Sequence, residues 1–359
     1  MACEGDKNVK GISSSFIPLK DQSNLNRFIT DAKWDYHALN DRRVKLVEEE
    51  LRLVGARECL LIVDDTVVER YGGEGVGYHH DSKHGLVKGH CYVTGLCTCN
   101  SVSYPPDLRL YMPEGSSEKP FKSKIELACE MIDGFKPPST REVVAAFDEW
   151  YLCGEVVKHT EDRGFKWISE AKGNRVVFYQ NERIHVSDLL DRMRSFFKDV
   201  EVDGELHQCL DLEAYMPRIG QVRLLFNCKA DNKDLHHLCT NIKNLSTIDL
   251  LKKGFGRAKI ESFHWDIKNI LGFGEYRFRE SEAAIIHSHL VLLTYTLLMI
   301  LKNKLEKKSP EKKSYSVGEA CRWVRDRCLV SMVRWFQDRF SAGLGLTKII
   351  SMIRPQIHK

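Results

Sequence analysis

Three carboxylates, Asp64, Asp148 and Glu261, each end or sit in a segment whose pattern would hold a side chain still. Asp64 closes the apolar run of LLIVDDT and Asp148 closes that of VVAAFDEWY, which puts both at the carboxyl ends of buried strands. Two converging strand-borne aspartates suit Mg²⁺, a hard cation that takes oxygen ligands in strict geometry. Glu261 lies in RAKIESFHWDIK, where Arg257, Glu261, His264 and Lys268 recur at helical spacing and form one stripe. In that stripe Glu261 completes the carboxylate cage, while Arg257 and Lys268 hold phosphates, the arginine by its planar fork and the lysine as a point charge. Two divalent ions in such a cage activate a water or a 3′-hydroxyl and stabilise the leaving oxygen of an in-line displacement. The chemistry implied is the breaking and rejoining of phosphodiester bonds.

Any one of these acids, among 50 in the chain, would ordinarily be a surface or cap residue, and the stripe alone would pass for intrahelical ion pairing. Only the combination carries the argument. The chain has no G-x-S-x-G elbow, no P-loop and no H-E-x-x-H, so other hydrolytic and nucleotide-binding chemistries find no support. The pair Asp64-Asp65 leaves a choice of first ligand. A D-x-[TS] pattern with Thr66 in third place favours Asp64, and Asp65 is the alternative.

The elements that must position these residues follow from periodicity. Residues 1–58 read as a helical leading segment, either DNA-gripping or a brace against the core. From 59 come apolar strand runs, ECLLIVDD, GLVKGHCYVTGLCTCN and DLRLYMP, then the amphipathic FKSKIELACEMIDGF, then the strand REVVAAF. Strand, strand, strand, helix, strand is the order of a ribonuclease-H-like core, so the expected class is α/β. Residues 59–154 form its first part and 251–305 its second, with a β-rich insertion at 155–250 between them, in which VSDLLDRMRSFFKDV at 186–200 reads as one helical segment. Residues 306–359 give a basic linker and a helical end, where Trp323, Val324, Cys328, Val330, Trp335 and Phe336 stand among arginines as a dimer or DNA-contacting face.

At 359 residues, 43% hydrophobic and 29% charged, the chain is ordinary for a folded protein, which disfavours wholesale disorder and a membrane protein. A net charge of +4 permits nucleic-acid binding without requiring it, and Lys302, Lys304, Lys307, Lys308, Lys312 and Lys313 cluster where a hinge or a phosphate contact would use them. Twelve cysteines without a secretory leader suggest a reducing cytosol with thiols free or metal-bound. The group His79, His80, His84, His90, Cys91, Cys97 and Cys99 invites a zinc site but lacks zinc-knuckle spacing, and C-T-C at 97–99 reads as alternating strand residues. GGEGVG at 72–77 precedes no helix start and reads as a loop. The apolar run 290–301 falls short of the ~20 residues of a bilayer span and reads as a buried helix.

The arrangement R-x3-E-x6-K at Arg257, Glu261 and Lys268 resembles the signature of DDE transposases of the insertion-sequence-four type, and IVDDT, DLRLYMP, FKSKIELACEMI and AAFDEWY agree with it in order over roughly residues 55–300. That resemblance implies a ribonuclease-H fold with a β-rich insertion, for which the sequence separation of 113 from Asp148 to Glu261 leaves room. It implies two Mg²⁺ ions, or Mn²⁺, held by Asp64, Asp148 and Glu261, with Arg257, His264 and Lys268 on DNA. It also implies a homodimer in the bacterial cytosol, at the nucleoid, that binds terminal inverted repeats, cuts through hairpin ends and joins them to target DNA. Trp167, the only tryptophan between 155 and 250, corresponds to an aromatic that stacks on a flipped base. One position departs: Gly254, beside Phe255, stands where the family has tyrosine. The alternatives are a domesticated or decayed relative that binds DNA without strand transfer, and a plain nuclease that cuts without joining.

Overall fold

The structure is a computed structural model that describes residues 5–15, 21–53, 55–81, 85–100, 102–118, 120–138, 142–229, 236–309, 311 and 314–353, so Lys312 and Lys313 of the basic run and His84 of the histidine group lie outside it. Three helices lead: α1 (Val9–Ser14), α2 (Gln22–Thr30) and α3 (Tyr36–Leu53). Five strands follow, β1 (Glu58–Glu69), β2 (Gly77–Asp81), β3 (Gly85–Cys99), β4 (Val102–Tyr104) and β5 (Leu108–Tyr111). Then come α4 (Lys124–Gly134), β6 (Glu142–Phe147), α5 (Gly154–Asp162), β7 (Lys166–Glu170), β8 (Val176–Tyr179), β9 (Glu182–His185) and α6 (Val186–Met193). After β10 (Lys198–Val202), β11 (Glu205–Met216), β12 (Gly220–Lys229) and β13 (His236–Thr240) the chain ends in α7 (Thr247–Gly256), α8 (Lys259–Asn269), α9 (Ser281–Lys308), α10 (Val317–Ser341) and α11 (Leu346–Ile353).

Among the described residues one mixed sheet runs in the order β2-β3-β1-β6-β7-β13-β12-β11-β8-β9, with β4 and β5 paired to β3 and β10 to β11. At its centre β1 lies antiparallel to β3 and parallel to β6, and β7 continues parallel beyond β6. A stretch paired on both sides and covered on both faces is apolar, which is why Cys59–Val63 of β1 and Val143–Phe147 of β6 read as continuous hydrophobic runs. Alternation then divides them. Leu61, Val63, Ala145 and Phe147 join a core with α3, α4 and α5, while Ile62, Val144 and Ala146 join one with α7, α8 and α9.

The helices form for local reasons. α4 starts with a complete capping box between Ser123 and Glu126, and α10 with another between Ser316 and Glu319. α9, at 28 residues, is long and apolar enough to cross a membrane by length and composition, yet 61% of its most apolar window is buried, as expected of a core helix. Its last turns hold Lys302, Lys304, Lys307 and Lys308, so this part of the basic run is helix rather than hinge; Lys304 pairs with Glu50 at 3.1 Å and Lys302 with Glu306 at 3.8 Å. In α10 only Val317, Ala320 and Cys321 are buried.

Three expectations change. Residues 155–170 are not part of the added β-rich region: α5 covers one face and β7 pairs with β6, so the additional strands begin after Glu170 and extend the same sheet through β13. The helical run expected at 186–200 stops early, and Lys198–Val202 pairs with β11 as a strand. Cys59 and Cys99 are joined as a disulfide rather than free, because the antiparallel register sets them across from each other with Cα atoms 4.7 Å apart. The alternating strand expected at Cys97–Cys99 is the end of β3, and the glycines at 72–77 form the loop before β2.

Candidate active site

Residues Val63, Phe147 and Ser169 stand in one register row across the parallel strands β1, β6 and β7. The next position on each strand is acidic: Asp64, Asp148 and Glu170. The parallel pairing of β1 with β6 stops at Val63 and that of β6 with β7 at Ser169, so these three carboxylates follow one register row; Asp64 is not the strand end expected, since β1 runs on against β3 to Glu69. Asp148 is fixed by a turn: one carboxylate oxygen accepts the amides of Trp150 at 2.9 Å and Tyr151 at 3.1 Å. The Ser169 hydroxyl donates to the Asp148 carbonyl at 3.0 Å and ties β7 to the turn.

Asp65 is occupied elsewhere. Its carboxylate takes Lys124 Nζ at 2.9 Å, the Tyr151 hydroxyl at 3.0 Å and the Cys91 thiol at 3.3 Å. Strand alternation therefore aims Asp65 at α4 and Tyr151, and leaves Asp64 on the α8 side with the parity of Ile62. The nearest cation to Asp64 is Arg257, whose Nη1 stands 4.0 Å from Asp64 Oδ2 while Nη2 reaches Glu170 Oε1 at 3.4 Å. Arg257 does not lie in the helix of Glu261: it caps the C-terminus of α7, and α8 begins two residues later.

Electrostatics mark this edge as short of positive charge. Burial pushes the Asp64 carboxyl up to about 7, the charges of Asp148 and Asp65 add to that, and the Asp65 amide and Arg257 pull it back only in part. Asp148 is also raised, first by burial and then by Asp65, against the pull of the Tyr151 and Trp150 amides and Arg257. Crowded carboxylates that resist ionisation favour a divalent cation, and an all-oxygen donor set fits Mg²⁺ or Mn²⁺.

α8 crosses over β1 and β3 on the Asp64 side. His264 Nε2 lies 2.7 Å from Thr94 Oγ1, and the Thr94 hydroxyl donates to the Asp64 carbonyl at 3.1 Å. Since the threonine has a single proton to give, the imidazole donates from Nε2. Surrounding protein, with Lys268 adding to its effect, pushes the His264 pKa down to about 3, so this ring is neutral and committed to Thr94. His264 thus braces α8 against β1 and β3 rather than supplying charge to a phosphate. Glu261 is exposed in the first turn of α8, four residues after Arg257 and three before His264, bracketed by the two residues that reach Asp64 and its neighbour. Lys268 ends the same stripe in the last turn.

Trp167 is a correction. It is 1% exposed in β7, packed parallel to the Phe147 ring at 6.1 Å, with its indole N–H on Glu161 at 3.0 Å. A ring so enclosed is core and presents no face to a base. The exposed aromatic at this edge is Trp150, two residues after Asp148 and 44% exposed, with Lys124 Nζ 4.5 Å from its ring centre. Trp150 and Glu170 escaped the sequence reading; AAFDEWY carried a signal for the first, whereas KWISEAK carried none for the second. Gly254 has a local cause: a Cβ there would come 2.5 Å from Leu238 Cδ1 of β13.

A family model described as DDE superfamily endonuclease matches residues 1–191, a span that includes Asp64, Asp148 and Glu170 and ends before Glu261. No curated protein matches the sequence. Among solved structures, the NurA nuclease from Sulfolobus solfataricus aligns with a TM-score of 0.28 and 8% identity over 66% of this chain and 85% of that one, too loosely to bear on function. The family match covers more than half of the chain, and the protein belongs to the DDE superfamily endonucleases.

Proposed function

We propose that this endonuclease-family protein is a DNA transposase that binds terminal inverted repeats, cleaves both strands through hairpin ends and joins them to target DNA. The observation that carries the metal-dependent part is the adjacency of Asp64 and Asp148 on parallel strands, with both carboxyls raised and Arg257 the cation nearest Asp64. The order β3-β1-β6-β7, with β1, β6 and β7 parallel and helices on both faces, supports a ribonuclease-H-like core to which β8–β13 are added.

In this reading Asp64, Asp148 and Glu261 hold two Mg²⁺ ions, which supply nucleophile activation and charge neutralisation at the scissile phosphate when bound. Arg257 offers its fork to the phosphate flanking the site, and Lys268 a point charge farther along the α8 stripe. The Thr94–His264 bond ties α8 to β3 and, through the Asp64 carbonyl, to β1; Glu261, three residues before His264, is the residue of α8 that this reading assigns to the cage. Asp65, neutralised by Lys124, supports β1 from the other side. Exposed Leu329, Val330, Val333 and Phe340 on α10 support assembly as a homodimer.

The test uses purified protein and DNA carrying the ends of the element that encodes it. With Mg²⁺ or Mn²⁺ it should nick at the ends and give joined products, and Asp148→Ala should abolish nicking while retaining DNA binding. Cleavage without joined product would leave a nuclease; binding without cleavage would leave the decayed relative, for which Gly254 is the motivating departure.

A further inference from the structure

The helices α4 and α5 pack against each other on the sheet face opposite α8, and their facing positions carry a second donor set unrelated to the acidic edge. Cys129 and Asp133 are four residues apart on α4; Glu155 and His159 are four apart on α5. Each pair therefore shares one helix face. The Cys129 Sγ, a Glu155 carboxylate oxygen and a His159 ring nitrogen all lie within 4.8 Å of one another.

Two observations distinguish this group from a chance surface cluster. The Cys129 thiol is enclosed, with the residue 3% exposed, and makes no hydrogen bond among the described residues. The groups around it are anionic: burial first, then Glu155, Cys153, Asp133 and Glu126 push the thiol up to about 12, and Lys158, next to His159, is paired with Asp162. Second, His159 Nδ1 is bonded to Asp133 at 2.8 Å. A carboxylate on one imidazole nitrogen fixes the ring and leaves Nε2 as the donor, which is how metal-binding histidines are oriented.

We propose that Cys129, Glu155 and His159 form a Zn²⁺ site that staples α4 to α5, with Asp133 orienting His159 and water completing the tetrahedron. Sulfur and imidazole donors select a soft or borderline ion over Mg²⁺, so this site and the acidic edge take different metals. On binding, the Cys129 S–H bond breaks, the proton leaves to solvent and the sulfur lone pair bonds the ion; no electron is transferred. The staple would join the helix that begins at Lys124, the partner of Asp65, to the helix that follows the Asp148 turn. The inference does not depend on transposition.

The full chain, reduced and stripped with a chelator, is titrated with Co²⁺. One equivalent should give the near-ultraviolet thiolate-to-cobalt band with tetrahedral visible absorption, and Zn²⁺ should bleach both, whereas millimolar Mg²⁺ should not. Cys129→Ser should lose the band. His159→Gln, at a half-buried position that spares the fold, should weaken Zn²⁺ binding by about tenfold or more, and Asp133→Asn by about tenfold. Lys158→Ala should change nothing. A folded wild-type chain without a thiolate band, or a band unchanged by His159→Gln or Cys129→Ser, overturns the proposal; the latter would assign the cobalt to Cys97 and its neighbours.

Discussion

Arg257 and Glu170 are 3.4 Å apart, and the other terminal nitrogen of the same guanidinium is 4.0 Å from Asp64. One planar cation is thus strung between two carboxylates of the acidic row, with Asp148 between them in the register. In the proposed function, with Asp64 given to a divalent ion, Glu170 would keep the fork in place for a phosphate.

Glu170→Gln should therefore lower metal-dependent nicking by about threefold to tenfold, consistent with a partly exposed charge-assisted contact of ~1 kcal/mol. The check is a double-mutant cycle with Arg257→Gln. If Glu170 acts through Arg257, the second substitution adds little to the first; independent, multiplicative losses would reject the coupling.

The raised carboxyl of Asp64 sets a pH dependence in the metal-free protein. Its folded value of about 7 exceeds the ~3.9 of an unfolded aspartate, so between these values the folded state keeps a proton the unfolded chain has lost. Stability accordingly falls as pH rises through that window. Urea unfolding in chelator at pH 5 and pH 8 should show wild type losing on the order of 2 kcal/mol more than Asp64→Asn. Equal losses in the two proteins would contradict the burial of an uncompensated carboxyl there.

Mn²⁺ should raise the thermal midpoint of wild type, and Asp64→Asn should abolish that shift. Asp65→Asn should preserve that shift, since its carboxylate serves Lys124 and Tyr151. The reverse pattern would make Asp65 the ligand.

Trp150 stands exposed beside the Asp148 turn, where a base could stack. Trp150→Ala should weaken single-stranded DNA binding by about fivefold to a hundredfold, the range of one base–aromatic contact of ~1–3 kcal/mol, with Mn²⁺ binding unaltered. Fluorescence anisotropy against salt reads both the affinity and the number of phosphates engaged.

Gly254→Tyr, which restores the residue the resemblance calls for, should destabilise the protein by about 1–3 kcal/mol, because even a Cβ comes 2.5 Å from Leu238. Denaturant midpoints decide it. A neutral or stabilised variant would mean β13 gives way easily, and the missing phenol then has no packing explanation.

The residue pattern alone determined that Asp64 and Asp148 each follow a buried apolar strand run, because an apolar run that stops at an acid reports local burial; it set Asp64 at a strand end, whereas β1 runs on to Glu69 and only its pairing with β6 stops at Val63. It likewise determined α9 as a core helix and α4 as an amphipathic one. It was silent on Glu170, since KWISEAK looks like any strand until β7 is known to lie in parallel register beside β6. It misplaced Trp167, whose indole faces the core only because of that same pairing, and it joined Arg257 to the helix of Glu261, where the chain breaks between α7 and α8. The Cys59–Cys99 bond and the meeting of Cys129 with Glu155 and His159 were equally beyond it. Periodicity encodes which side of an element is buried, a property of neighbours along the chain; which elements become neighbours in space is decided by competition among all possible pairings, and only the folded sheet records the winner.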